Sequence, residues 1–432
     1  MQKVLVIGHS FQETGIGITL QNLFSKFPKD TLYCASSTFS KNDAVFKEFY
    51  LLGNKEIKIS FPFNLFEKVH NSCILNKTNN VSEINKSKKT SFKRKLYMGF
   101  VRPIIIFLKI YNYRSSFVVS NELMQWIISI QPDIIYSALG SLSMTQFIQG
   151  IHKKYPQAKL AIHMMDDWLS TQSEQTLFST HYKKQLHQSF NALINKSSIR
   201  IAISEKMAKE YKIQYGFSFS VFHNPVNVDQ YIQLSKDLGE KKIKKIVYIG
   251  KINKDNYDVI NDIILAVNQI NSVKDKLSFH VYTPDNPIYL KQHLKKRSSL
   301  IVHLPISHNK IPSVLVNSDL LILPLSFHEK SKKYTRLSIS TKLSEYMASK
   351  TPILVYAPKD IAISEYVIKH KVAVCLTKRN IHLLSTYIDT LLTDDTKIKE
   401  ITENAFRIVS EKHSLQVVSS SFFYLFNQQV NE

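Results

Sequence analysis

Short unbroken apolar runs recur along the chain, separated by longer stretches in which apolar residues fall three and four apart. The first run is VLVIG (4–8), closed by a glycine. TLYCAS (31–36), DIIYSAL (133–139), KLAIHMM (159–165), IRIAIS (199–204) and FSVFHN (219–224) continue the series, with helical periodicity over 121–131, 142–155, 181–197 and 204–215. A run that is apolar on both faces suits a strand buried in a parallel sheet, and the helices between strands supply the cover. Gly15-Ile16-Gly17 follows the first run and leads into a helix carrying Leu20, Leu23 and Phe24. Strand, glycine-containing loop and helix in that order open a Rossmann-like unit.

Residues 225–245 interrupt the pattern: Pro225 opens a polar stretch that the basic run Lys241-Lys242-Ile243-Lys244-Lys245 closes. The alternation then restarts. Strands are predicted at KIVYIGKI (245–252), SFHVYT (278–283), LIVHLP (300–305), DLLILPL (319–325), PILVYA (352–357) and AVCL (373–376). Helices are predicted over 256–270, 287–297, 309–317 and 341–349, then over a tail of 381–393 and 396–430. The restart predicts an α/β fold of two Rossmann-like domains facing across a cleft. The domains are expected at 1–225 and 226–412, with 413–432 a helix packing back on the first.

Length agrees, because single cores seldom grow beyond about 250–300 residues and this chain has 432. Lys and Arg outnumber Asp and Glu by 57 to 34, a net +23 that favours anionic partners. Much of the excess lies in 77–114, where ten Lys and Arg residues, including Lys93, Arg94 and Lys95, are interleaved with Phe92, Tyr97, Phe100, Phe107 and Tyr111. A basic, aromatic-rich segment of this kind can lie among anionic headgroups; an amphipathic helix behind a solvated loop would read the same way. No recognition module for nucleic acid accompanies the charge, so no nucleic-acid partner is expected. Cys34, Cys73 and Cys375 have neither disulfide-framework nor zinc spacing and suit a reducing cytoplasm. Met1-Gln2-Lys3 runs straight into a strand without a signal-peptide pattern, and no apolar run approaches the roughly 20 residues of a membrane span.

Candidate chemistry concentrates in STKLSEYMASKTPILVY (340–356). Leu343, Tyr346 and Met347 form a buried helical stripe, and Lys350-Thr351-Pro352 stops the helix ahead of a strand. Lys342 stands in the first turn, where the helix dipole disfavours a cation, and Glu345 follows three residues later. Two readings fit: a solvated ion pair on the helix surface, or an anion cradle made of the helix N-terminus and the lysine, with the carboxylate accepting from sugar hydroxyls. The nucleotide motifs that could compete are missing. Gly15-x-Gly17 lacks the third glycine of GxGxxG, and GxxxxGK[ST] does not occur.

STKLSEYMASKTPILVY resembles the donor-binding helix and following strand of the GT-B glycosyltransferases, in particular the retaining family 4 type. Other stretches resemble that family in the expected order. They are Gly15-Ile16-Gly17, HMMDDW (163–168), AISEKMAKEY (202–211), HNPVN (223–227), YIGKINKD (248–255) and SDLLILPL (318–325). The pattern departs at one place: of two glutamates eight positions apart, Glu345 fits the second and Leu337 occupies the first. The loop FHEKSKKYTRLSIS (327–340) is expected to take over, with Glu329 or a backbone group reading the sugar.

The resemblance implies a glycosyltransferase, retaining and independent of metal and of any cofactor. It would move a sugar from a nucleoside diphosphate donor to a glycan or lipid-linked acceptor in surface polysaccharide assembly. The first domain would bind acceptor and the second the nucleotide sugar, on the cytoplasmic face of an anionic membrane. Gly15, Gly17, Lys251, Lys254, Thr341, Lys342 and Glu345 would hold the donor, and His163, Asp166 and Asp167 would serve catalysis. Arg336 would clamp phosphate or meet lipid. A sugar-nucleotide epimerase and a catalytically degenerate scaffold subunit of a glycan assembly complex remain as alternatives.

Overall fold

The structure, a computed structural model, describes residues 2–13, 15–61, 63–65, 67–75, 111–172, 179–236, 243–253, 256–274, 277–285, 290, 293–294 and 299–428. Lys254 and all of the basic segment except 111–114 lie outside them, as does most of the expected helix 287–297. The chain divides into two compact units, one of residues 1–222 with 419–432, the other of 223–418.

The first unit is built on β1 (Val4–Ile7), β2 (Leu32–Ser36), β3 (Glu48–Leu51), β4 (Ile57–Ile59), β5 (Cys73–Leu75), β6 (Ser115–Phe117), β7 (Ile134–Leu139), β8 (Lys159–Met164), β9 (Ser197–Ala202) and β10 (Ser220–Val221). Eight of these form one sheet in the order β10-β9-β8-β7-β1-β2-β3-β5, parallel except for β3 with β5, while β4 and β6 pair separately. The apolar runs of the sequence are its buried centre: every residue of β1, β2 and β7 is buried. Strand order reverses at β1, with β7 on one side and β2 on the other. The helix Gly15–Leu23 packs so closely on the loop before it that a Cβ on Gly17 would meet the Gln12 carbonyl oxygen at 2.2 Å. Gly17 is thus required for that backbone contact, whereas a Cβ on Gly15 would meet nothing. The terminal helix Leu415–Gln428 completes this unit's core: Phe422 sits edge-on to Phe24 at 5.2 Å, and Phe426 to Phe27 at 5.4 Å.

The second unit contains β11 (Lys244–Ile249), β12 (Leu277–Tyr282), β13 (Leu300–His303), β14 (Leu320–Pro324), β15 (Ile353–Tyr356) and β16 (Val374–Leu376), all parallel, in the order β13-β12-β11-β14-β15-β16. One apolar cluster, with Leu343, Tyr346 and Met347, covers one face; another, with Ile260, Ile264 and Leu384, covers the other. Strand order reverses between β11 and β14. In an open α/β sheet that is where loops diverge beyond the strands' carboxyl ends and leave a crevice.

Several elements depart from the expected pattern, among them β4, β5, β6 and a helix, Glu329–Thr335, where a loop was expected. β3 and the helix Ala362–His370 were not foreseen, and the tail helix breaks into Asp395–Lys412 and Leu415–Gln428. The break follows from pairing, since Val226 donates to the His413 carbonyl at 2.9 Å and Leu415 to the Val226 carbonyl at 2.8 Å. Those bonds pull residues 413–415 out of helical register.

Candidate donor site

The crevice at the β11/β14 reversal holds a cavity of about 520 Å³. Its floor is Tyr248, Gly250 and Lys251 at the end of β11 and just beyond, and Leu323 to Ser326 at the end of β14 and just beyond. Asn253, Asn256, Ser331, Tyr334, Thr335, Ser340 and Lys342 close the sides. The loop after β11 is held from within. Tyr248 donates to the Lys251 carbonyl at 2.9 Å, and Asn256 Nδ2 donates to the same oxygen at 2.9 Å. Asn256 Oδ1 accepts from the Asn253 N–H at 2.9 Å. These bonds turn the loop so that Lys251 stands exposed at the rim.

The helix Thr341–Ala348 enters the cavity by its N-terminus. Ser340, at the N-cap, makes no side-chain cap bond, and the Leu343 N–H returns to the Ser340 carbonyl at 3.1 Å. The first turn therefore keeps donors for a ligand, with the positive end of the dipole behind them. Behind the helix, Tyr346 Oη accepts from the Ile249 N–H at 3.2 Å, fixing the helix to β11. The helix ends at Ala348, and Lys350 takes a left-handed φ of 56° ahead of Thr351-Pro352, where the sequence predicts the stop.

Lys342 and Glu345 are both largely buried, and among the described residues no ion pair within 4 Å joins them. The reading of a solvated surface pair is thereby excluded. Lys342 Nζ lies 5.8 Å from the centre of the Tyr248 ring. Burial lowers its pKa, partly opposed by Glu345 and reinforced by Lys251. Glu345 is 21% exposed, and its Oε1 lies 3.9 Å from His308 Nδ1. Burial pushes its pKa up to about 7, against the pull of Lys342. A part-buried cation in no direct ion pair, beside an uncapped helix start, is a site arranged for an anion.

Gly250 makes room for that cation. A Cβ there would lie 2.6 Å from Lys342 Cε and 2.7 Å from Tyr248 Oη. Gly250→Ala is expected to push the lysine aside and weaken nucleotide binding about 10-fold, with a stability loss of about 1–2 kcal/mol typical of overpacking. Calorimetric titration and a melting curve on the variant measure both, and unchanged affinity would show that the lysine's position is immaterial.

The other expected site residues fall as follows. Thr341 opens the helix and is exposed. Arg336 accepts the Ala362 N–H at its carbonyl, at 2.8 Å, and does not line the cavity. Leu337 is 1% exposed, a core residue that leaves no substitute for a first glutamate. Glu329, expected to read the sugar, has a side chain 81% exposed and 3.6 Å from Lys332, and does not line the cavity. Tyr248, Asn253, Asn256, Ser331 and Tyr334 line the cavity without having been expected. In the first unit, His163 lies one residue from the end of β8 with no exposure, Nδ1 against Tyr136 Oη at 2.8 Å. Burial pushes its pKa down to about 3, so the ring is neutral. Its buried Nε2 has no hydrogen-bond partner among the described residues. Asp166 is exposed; Asp167 is buried and accepts from Tyr211 Oη at 3.3 Å. Gly15 and Gly17 open the helix after β1. Among the described residues, no group of three or more His, Cys, Asp or Glu could hold a metal ion, and no helix is long and apolar enough to cross a membrane.

Residues 243–394 match the family model described as "Glycosyl transferases group 1". No curated protein gives a sequence match. Solved structures match over the whole chain. HepE of Anabaena, determined in complex with UDP-glucose, aligns with a TM-score of 0.63 at 12% identity, over 99% of this chain and 100% of that one. Sucrose-phosphate synthase from Thermosynechococcus elongatus aligns with 0.61 at 9% identity, over 100% of both. WaaG, a glycosyltransferase involved in lipopolysaccharide biosynthesis, aligns with 0.56 at 10% identity, over 98% and 99%. The chain has the GT-B glycosyltransferase fold, and its residues 243–394, which carry the cavity, match the group 1 glycosyltransferases.

Proposed function

We propose that the chain transfers a sugar from a nucleoside diphosphate sugar to a glycan or lipid-linked acceptor. The observation that carries this reading is Lys342, a cation with no ion pair within 4 Å among the described residues, at an uncapped helix start, opening on the cavity where the strand order reverses. When the sugar–phosphate bond breaks, negative charge grows on the departing diphosphate. Lys342, Lys251 and the N–H groups of the first turn meet it with dipoles and charges already in place, which is the main catalytic term expected for such a step. That supply lets the reaction run without a divalent cation, and Lys254 would add to it. Glu345 would accept from the ribose hydroxyls. Gly15 and Gly17 would belong to the donor contacts by the resemblance alone, Gly17 being packed against the Gln12 backbone. The unpartnered Nε2 of His163 supports a contact to a sugar oxygen there, with Asp166 or Asp167 binding hydroxyls.

Two details go further by analogy. HepE, determined with UDP-glucose, supports a sugar-nucleotide donor, and WaaG, involved in lipopolysaccharide biosynthesis, supports a role in surface polysaccharide assembly; a place at the cytoplasmic face of a membrane rests on the sequence alone. The basic segment 77–114 supports contact with anionic lipid by its charge alone. The family 4 resemblance favours retention of configuration. A catalytically degenerate scaffold subunit is the second reading, favoured by the burial of Leu337.

Calorimetric titration with UDP, GDP, ADP and CMP decides between them. One nucleotide is expected to bind at micromolar affinity and to name the donor's base. A folded protein that binds none of the four would leave the scaffold reading.

A further inference from the structure

The helix Thr341–Ala348 carries Ser344 on the side roughly opposite Lys342, two residues away at 3.6 residues per turn. Ser344 Oγ donates to the Asn224 carbonyl at 3.0 Å and also lies 3.0 Å from His413 Nδ1. On the far side of the same imidazole, Nε2 lies 2.6 Å from Tyr366 Oη. All four residues belong to the second unit.

Donor counting fixes the direction of the chain. The single Ser344 proton is committed to Asn224, so the oxygen accepts from His413, which must carry its proton on Nδ1. Nε2 is then an acceptor, and Tyr366 donates to it. The result is one directed relay: Tyr366 O–H to His413 Nε2, His413 Nδ1–H to Ser344 Oγ, Ser344 O–H to the Asn224 carbonyl. His413 is also held by stacking on His223, centroids 4.7 Å apart and 17° from parallel. Burial first, then His223, His370 and Lys412, lower its pKa well below the ordinary value, which keeps the ring neutral as the relay requires.

The relay ends on the backbone segments next to which the chain passes between its units, at 222/223 and 418/419. Residues 224–226 and 413–415 are paired there by the Val226 and Leu415 backbone bonds. Asn224 Nδ2 also reaches the Ile339 carbonyl at 3.4 Å, just ahead of the helix.

We infer that His413 is a positioning residue for the donor helix: through Ser344 and Tyr366 it fixes the angle at which Lys342 and Glu345 are presented to a nucleotide. The inference rests on the donor-site reading for what the helix serves, and on the relay geometry for what holds it. A rigid element held at its back by satisfied buried hydrogen bonds keeps its front within the few tenths of an ångström that catalytic positioning demands.

Tyr366→Phe and Ser344→Ala test this at both ends of the relay, each removing one hydroxyl, alone and together. In the nucleotide-free proteins, hydrogen exchange followed by mass spectrometry is expected to speed up at least 10-fold in a peptide spanning 341–349 in each variant. Titration with whichever of UDP, GDP, ADP and CMP wild type binds is expected to show each single variant about 5-fold weaker, and the double variant no weaker than the worse single one. That non-additivity is what a shared relay gives and what two independent losses of stability do not. Unchanged exchange in 341–349 with either variant, or additive losses of affinity, would overturn the inference. If wild type binds none of the four nucleotides, the donor-site reading fails and with it the claim that the helix presents a donor site. The exchange result still decides whether His413 holds the helix.

Discussion

Lys342→Met is expected to weaken binding of the preferred nucleoside diphosphate about 100-fold while raising the melting temperature. Methionine keeps the stem that passes Gly250 and Tyr248 and removes only the charge. In the empty protein that charge is a cost. Burial lowers the Lys342 pKa, Lys251 adds repulsion, and the helix dipole opposes a cation in the first turn. A lysine whose folded pKa is lowered destabilises the fold at every pH where it is charged, so its removal stabilises at neutral pH. In the complex the same charge meets a phosphate, and charge-assisted hydrogen bonds contribute about 1.5–3 kcal/mol. At about 1.4 kcal/mol per decade the upper end of that range is the 100-fold expected. Titration and differential scanning calorimetry on one preparation read both effects. A variant that gains stability and keeps its affinity would locate the diphosphate elsewhere.

Glu345→Gln is expected to separate stability from binding through pH. The carboxyl group has a folded pKa of about 7, raised from 4.5 by burial. Between those values the folded protein holds a proton that the unfolded chain has lost. Stability therefore falls as pH rises from 4.5 through 7, and is lowest, as far as this group is concerned, above 7. Allowing for the 21% exposure of the side chain, the loss is about 2 kcal/mol. Glutamine never ionises, so the variant is expected to match wild type in melting at pH 5 and to exceed it at pH 8. Affinity moves the other way. Ribose hydroxyls donate best to the ionised carboxylate, and wild-type affinity is expected to climb from pH 6 to 8. The variant retains only the titration of the nucleotide's own phosphate, so the difference between the two curves isolates Glu345. At pH 8 the variant is expected to bind about 10-fold more weakly. Equal affinities there would remove Glu345 from the ribose contact.

How much of this was legible in the sequence depended on where each residue's partners lie. β1, β7 and β14 could be read directly, because a strand buried on both faces has nothing to be but apolar: VLVI, IIYSAL, LLILP. β5 and β6 are short and partly exposed and carry no such signal. The helix Ala362–His370 was missed because Ile361, at its N-cap, offers no capping side chain and its apolar residues continue those of β15. Lys342 was legible as an anomaly against its own helix dipole. Its separation from Glu345 was not, since spacing of three along a helix says the two share a face but not which way each side chain turns. His308, near Glu345, arrives from a separate crossover after β13. The hydroxyl of Tyr248 was hidden for a similar reason. The residue reads as strand core, and it is buried, yet its oxygen braces the loop on which Lys251 stands.

The helix Leu415–Gln428 has a consequence for how the protein is made. It supplies Phe422 and Phe426 to the core around Phe24, Phe27 and Tyr136, in the unit that begins the chain. The second unit, 223–418, is continuous and is synthesised in full before the part of that helix carrying Phe422 and Phe426 is translated. Vectorial synthesis ordinarily lets the amino-terminal domain finish first. Here the order is inverted: the half of the protein that leaves the ribosome first waits, with an aromatic seam open to solvent, for the half that follows.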